Sequence, residues 1–406
     1  MIVYLEPHAP FSKSAPRSDT LFGALSWAIR LLYGETELVE LLEQFDEAVE
    51  SQSPPPFLLS SLFPFVERRT DDEHQTTRTL FLPRPHLASE FVFALKERNS
   101  YRLFQRLKKT NWASLSVFDS IAKGQCSSTE LWERLLIGRQ GAYRLHAGAV
   151  MTKEEYEVVR AFSSLSQVGA MARHTVNRLS NSAADREGQL FYEPFTWTRA
   201  AEKAQARMGF FFLIKTDGAR EPRVSELLKT ALRFLAERGF GGDASIGRGH
   251  CDVEFKDEDF ALGHAEGTHL VSLSLLHPSR ADRLHFARSR TEVFARIERR
   301  KGFIETAYAE PTPHPWKPTL LMLAEGATFP RDGERQFYGT LFKEQDVRHG
   351  LSERLRINGL GYTVPLKLSP EPSPEPSPEP SPEPSPEPSP EPSPEPSPEI
   401  EKEESS

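Results

Sequence analysis

Cysteine is nearly absent: Cys126 and Cys251 are the two in 406 residues. They are too few for a disulfide framework and have no metal-ligand spacing, which fits a reducing compartment. Long apolar runs are missing as well. The longest compact one, Met208 to Ile214, is far shorter than the roughly 20 residues of a membrane span. No basic residue precedes Lys13, so Met-Ile-Val-Tyr-Leu-Glu-Pro-His reads as a first strand rather than a signal peptide. A cytoplasmic protein without a membrane partner is expected. Paired Asp or His at ligand spacing are lacking, and the nearest cluster, Asp71-Asp72-Glu73-His74, lies in a polar stretch that reads as a solvated loop. Neither a cofactor nor a metal is expected.

A strong basic excess is missing too, although the net charge of −8 misleads. From Ser369 onward the chain carries eleven Glu and one Lys; setting that −10 aside leaves +2 on residues 1–368. Arg outnumbers Lys, and guanidinium suits bidentate phosphate contacts and stacking on bases. The body therefore permits nucleic-acid binding without demanding it. The segment after Leu368 repeats Ser-Pro-Glu-Pro. Proline at every second position removes backbone donors, and evenly spaced Glu repel one another. Residues 369–406 are expected to be a disordered, acidic tail.

What is present is an ordered series of elements. Residues 2–8 form a strand. Leu21, Leu25, Ala28 and Leu32, with Phe22 and Ile29 beside them, mark a helix with Ser18 or Asp19 as N-cap and Gly34 as its stop. A second amphipathic helix covers about 36–49 and breaks at Pro54-Pro55-Pro56. Residues about 51–165 read as a large, partly helical insertion, with helical patterns at 91–107 and 129–137. Then come a strand-rich segment at 190–197, a buried strand at 208–214, and a helix capped by Ser225 and closed by Gly239. A strand at about 251–255 follows. Without the insertion the order is strand, helix, strand, strand, helix, strand, the ferredoxin-like pattern. Further strands are expected at 269–276, 319–323 and 362–368.

The loop Gly239-Phe240-Gly241-Gly242-Asp243-Ala244-Ser245-Ile246-Gly247-Arg248-Gly249 carries the most chemistry. It has no Gly-Lys-Ser/Thr, and it follows a helix and precedes a strand, so it is not a phosphate loop of the nucleotide-binding kind. Its glycines can instead bring bare backbone N–H groups close to a bulky ligand, with Arg248 ready for a phosphate. Alternatively they merely satisfy positive-φ turns.

That loop resembles the signature of RAMP proteins of CRISPR systems. Two more segments narrow the resemblance. Arg17-Ser18-Asp19-Thr20-Leu21-Phe22-Gly23-Ala24 resembles the first helix start of the fourth Csm subunit in type III-A complexes. Arg173-His174-Thr175-Val176-Asn177-Arg178-Leu179, followed by Leu190-Phe191-Tyr192, resembles that subunit's central segment. Pro56 to Pro64 fits too. The matches spread over residues 2 to about 255, and the tail lies outside the pattern. The resemblance implies an α+β protein of two ferredoxin-like (RRM-like) RAMP domains, residues 1–257 and 265–368, the first with the 51–165 insertion and a thumb-like hairpin. It implies a non-catalytic subunit that binds the crRNA 5′ handle, between a large polymerase-like Cas subunit and an adjacent backbone RAMP subunit.

The expected RNA-binding residues are Arg17, Ser18 and Thr20 at a helix start, His174, Asn177 and Arg178 ahead of the hairpin, and Gly241, Gly242, Ser245, Gly247, Arg248 and Gly249 in the loop. Arg and His suit phosphates and 2′-hydroxyls, Asn suits a base edge, and Phe191, Tyr192 and Trp197 suit stacking. Ordinary capping or bracing would explain several of them equally. Two rivals stand beside this reading. One is a metal-independent endoribonuclease using His8, His146 or His174. The other is a structural adaptor that touches only protein.

Overall fold

The computed structural model describes residues 1–69, 76–87, 105–127, 130–131, 135, 141–176, 190–218, 222–257, 262–303, 316–333, 335–343 and 355–368. The Ser-Pro-Glu-Pro tail lies outside them. The chain opens with β1 (Ile2–Pro7) and the two-residue β2 (Phe11–Ser12). Two helices follow, α1 (Ser18–Tyr33) and α2 (Glu35–Ser51). Leu21, Phe22, Leu25, Ala28 and Ile29 are buried along one face of α1, as their spacing implies. Gly34 ends it at φ 95°, donating back to Arg30 O at 2.9 Å. The start corrects the sequence reading. Arg17 holds the N-cap position and Ser18 is already helical, because the core needs its hydroxyl, which accepts from Leu275 N at 3.1 Å.

The stretch expected as an insertion also needs correction. It supplies β3 (Phe57–Leu59), β4 (Phe63–Arg69), β5 (Thr76–Pro83), β6 (Trp112–Ser114), α3 (Leu115–Ala122), β7 (Tyr143–His146), β8 (Ala149–Thr152) and α4 (Lys153–Val159). All six strands join the large sheet. The helical expectations at 91–107 and 129–137 fall largely outside the described residues. Next come β9 (Gln167–His174), β10 (Leu190–Trp197), β11 (Ala200–Ala201), β12 (Ala206–Thr216), α5 (Arg223–Arg238) and β13 (Cys251–Lys256). α5 begins two residues before Ser225, which therefore does not cap it.

The large sheet runs β13–β1–β12–β4–β5–β6–β8–β7, with β3 and β11 also paired to β12. The first four strands are mutually antiparallel neighbours. The second strand of the series is β4, not residues 190–197. β10 instead forms a separate sheet, ordered β2–β10–β9. The reason is burial: Phe63, Phe65 and Val66 of β4 suit a strand covered on both faces, whereas β10 carries Glu193 and exposed aromatics.

Strand β12 explains the apolar run at 208–214. Phe210, Phe212 and Ile214 pack against Leu21, Leu25, Leu228 and Leu232 of α1 and α5. Phe211 and Leu213 point the other way, toward Phe63, Phe65 and Phe118. Alternation with both faces covered leaves no polar position, and each buried Phe contributes about 1.5–3 kcal/mol. Glu67 on β4 is buried between cross-strand neighbours, accepting from Arg207 Nε at 2.9 Å and Arg78 Nε at 2.5 Å. Burial raises its pKa, but those arginines outweigh burial and hold the carboxyl below its usual range.

The rest of the body comprises β14 (His269–Ser272), α6 (Arg280–Arg288), β15 (Ile297–Arg300), β16 (Leu320–Leu323), β17 (Thr328–Pro330), β18 (Gly339–Lys343), β19 (Arg356–Leu360) and β20 (Thr363–Leu366). They form a β17–β14–β20 sheet and two ribbons, β15–β16 and β18–β19. Val271, Leu273, Val364 and Leu366 share a core with Phe211 and Leu213. Contacts gather residues Met1–Pro370 into one compact unit.

Candidate nucleic-acid interface

After α5 the backbone turns back on itself within eleven residues. Gly239, Gly241, Gly247 and Gly249 all have φ between 72° and 99°, and Asp243 reaches 61°. Phe240 N donates to Gly249 O at 3.1 Å, and Gly249 N donates to Pro10 O at 3.1 Å. These bonds pin both ends of the loop while Phe240 fills the core beneath it. Gly241, Gly242, Ser245 and Gly247 remain exposed, whereas Arg248 and Gly249 are buried.

Over this loop stands the β9–β10 pair. His174 lies opposite Leu190, Ala172 opposite Tyr192, and Gly169 opposite Phe195. Directly opposed residues share a face, so the ribbon has two distinct sides. One side bears Arg173, Met171, Glu193 and Phe195, which meet the glycine loop. Arg173 Nε lies 2.6 Å from Glu193 Oε2, and its Nη2 donates to Asp243 Oδ2 at 3.4 Å. Arg248 lies 3.8 Å from Glu193 and 3.9 Å from Asp243, with its guanidinium 5.8 Å from the Phe195 ring centroid. The base of the ribbon is tied to β2, where the Ser12 hydroxyl donates to Asp243 at 3.0 Å. The other side is open: Val168, Leu190 and Tyr192 are 73%, 60% and 67% exposed.

Arg248 thus departs from its expected role. Its side chain is 5% exposed and faces carboxylates rather than solvent, because two acids under the hairpin need a cation that water cannot replace. The helix-start residues depart likewise. Arg17 pairs with Glu298 and Glu325, and its Nε donates to Glu325 Oε1 at 2.9 Å. Ser18 is buried, and Thr20 Oγ1 accepts from Arg300 Nη2 at 3.4 Å. Arg300 also donates two bonds of 2.9 Å to Asp19. Burial pushes the nearby Lys317 ammonium down, with Asp19 opposing and Arg300 reinforcing that push. The start of α1 is therefore satisfied by protein groups. Asn177 and Arg178 lie outside the described residues.

The histidines scatter. His146 Nε2 is 2.7 Å from Phe162 O and its ring packs edge-on against Tyr156. His174 is exposed at the end of β9. His8 lies 2.9 Å from Asp252, and the ring beside it belongs to His250, 5.9 Å between centroids. Sequence reasoning passed over His250, Arg173 and Glu193. A carboxylate set among aromatics on β10 was the available signal for Glu193; nothing local pointed to His250, which needs the β1–β13 register.

No family model matches the chain. A curated protein of Thermococcus onnurineus (strain NA1), described as CRISPR system Cms protein Csm4, is 23% identical over 371 residues. The match spans 90% of this chain and 96% of that one. Among solved structures, the Csm3–Csm4 subcomplex of the type III-A CRISPR–Cas interference complex has a TM-score of 0.56 at 16% identity. It covers 90% of this chain and 99% of that chain, which shows a common fold. A Csm1–Csm4 cassette in complex with pppApA matches with a TM-score of 0.48 and 20% identity, over 90% and 97% of the two chains. The near end-to-end sequence match and the common fold agree: the chain is similar along most of its length to a Csm4 protein and shares the fold of a type III-A CRISPR–Cas subcomplex subunit.

Proposed function

We propose that this chain grips the repeat-derived 5′ handle of crRNA as a non-catalytic subunit of a type III-A Csm interference complex. One observation carries the reading: the ribbon packs by one face on a loop that exposes glycine backbone and leaves its other, apolar face with Tyr192 open. Unpaired bases stack on such side chains, and bare N–H groups receive phosphates without needing a basic surface. That also reconciles RNA binding with a body charge of only +2 (residues 1–368). In this reading the ribbon is the thumb, and His174 at its end reaches the sugar-phosphate chain. The large polymerase-like Cas subunit and a backbone RAMP subunit are the proposed neighbours. Support comes from the near full-length Thermococcus relative and from the assembly in which the solved relative sits. The same reading takes residues 1–257 and 265–368 as two ferredoxin-like units. The order β13–β1–β12–β4, with α1 and α5 as connections, supports the first; β14, α6 and β20 are the weaker counterpart in the second.

The test is binding of labelled RNA with a 5′ handle against the same RNA with the handle scrambled. Tyr192→Ala with His174→Ala weakens handle binding about tenfold, while the scrambled RNA changes little. Equal affinity of wild type and variant for the handle would contradict the assignment. A second reading, metal-independent cleavage, is favoured by the carboxylate-backed His8 and His250 pair. Handle cleavage in chelator that disappears in His250→Ala would replace the grip with that chemistry.

A further inference from the structure

The ribbon β15–β16 joins segments from 297 to 323 and has its own two sides. Glu298 and Arg300 face inward, where they pair with Arg17 and Asp19 at the start of α1. The intervening residues turn outward, because side chains alternate along a strand. Ile297, Arg299, Lys301 and Phe303 are all exposed, and Leu321, opposite Arg299, is exposed with them. Beyond the last ladder pair, Phe303 bridges to Trp316. Their rings stack with centroids 3.7 Å apart and an interplanar angle of 29°, and Lys301 Nζ stands 4.8 Å from the Trp316 centroid. Yet Phe303 and Trp316 remain 56% and 47% exposed. Among the described residues, neither Arg299 nor Lys301 has a carboxylate partner.

We propose that the outer face of β15–β16 is a second platform for single-stranded RNA, with a base stacking on Phe303 and phosphates held by Arg299 and Lys301. A stacked aromatic pair next to exposed cations matches a polyanion of flat, unpaired bases. Protein interfaces are depleted of lysine, whereas here Lys301 stands over the Trp316 ring. The platform is independent of the β9–β10 grip but near it. Ser12 anchors one region through Asp243 and Arg17 anchors the other through Glu298, and five residues of extended chain span at most about 17 Å.

The experiment uses the full chain with a labelled mixed-sequence single-stranded RNA and its duplex form, titrated over a range of salt. Phe303→Ala with Trp316→Ala weakens single-stranded binding about tenfold and leaves the duplex unaffected. Arg299→Ala with Lys301→Ala lowers the salt slope by about 1.4, roughly 0.7 for each lost phosphate contact, and keeps the stacked pair intact if the first variant misfolds. Wild-type affinity and slope in folded variants of both kinds overturn the proposal. So does loss of a protein subunit from the assembled complex with RNA binding unchanged, which marks the face as a protein dock. Weakening in these variants alongside normal behaviour of Tyr192→Ala with His174→Ala would sustain this platform and sink the hairpin grip; the converse would do the reverse.

Discussion

Arg248→Ala lowers the stability of the hairpin region by about 3 kcal/mol, and RNA binding falls because the ribbon is no longer held. The guanidinium is nearly sealed beneath Phe195, with Glu193 and Asp243 on either side. Removing it leaves two partly buried carboxylates with Arg173 alone, an excess negative charge beneath the hairpin. The separations of 3.8 and 3.9 Å are long for ion pairs, which places the effect at the low end of the usual 3–5 kcal/mol. Among the described residues the ribbon is tied to the body through β2 and this cluster, so the loss should appear locally. Amides of β9 and β10 should exchange faster while those of β12 keep their protection. Unchanged exchange in β9 and β10 would show that the cluster does not hold the ribbon. A direct phosphate contact would behave differently, since it would lower the salt slope without altering exchange in the free protein.

The second large effect contrasts two glycines of one loop. Gly249→Ala places a Cβ 2.2 Å from Phe240 O and 2.6 Å from Phe240 N, at a φ of +72°. Backbone on both sides must move, and Phe240 is part of the core, so a loss above about 4 kcal/mol is expected. Gly247→Ala has a similar φ of +83° but meets nothing within 4 Å. It incurs only the left-handed penalty of about 1–2 kcal/mol. Unfolding midpoints in urea separate the two cases, and equal losses would mean the loop is not pinned as described. Gly247→Ala has a second readout, because its new methyl projects into the open space assigned to RNA.

Local pattern carried much of the fold. The spacing of Leu21, Leu25 and Ala28, the stops at Gly34 and Gly239, and the apolar run of β12 all encode their elements within a few residues. What failed was pairing over distance. Nothing near residue 190 says that β10 abandons the large sheet, because strand formers describe a strand without naming its neighbour. Arg17 looked free because Glu325, its partner, lies 308 residues away in sequence. Arg248 looked available because the acids that hold it come from β10 and the loop's own turn. The glycines themselves were legible, since positive φ is a property of single positions. Which of them face solvent was settled by the tertiary fold: Gly241 and Gly247 open outward, and Gly249 is packed on Phe240.

Amide exchange with and without a bound 5′-handle RNA tests the grip most directly. Bound handle slows exchange at residues 241–247 and 190–192 and leaves β5 and β8 unaltered. Saturating RNA that leaves both segments exchanging at their free rates would contradict it.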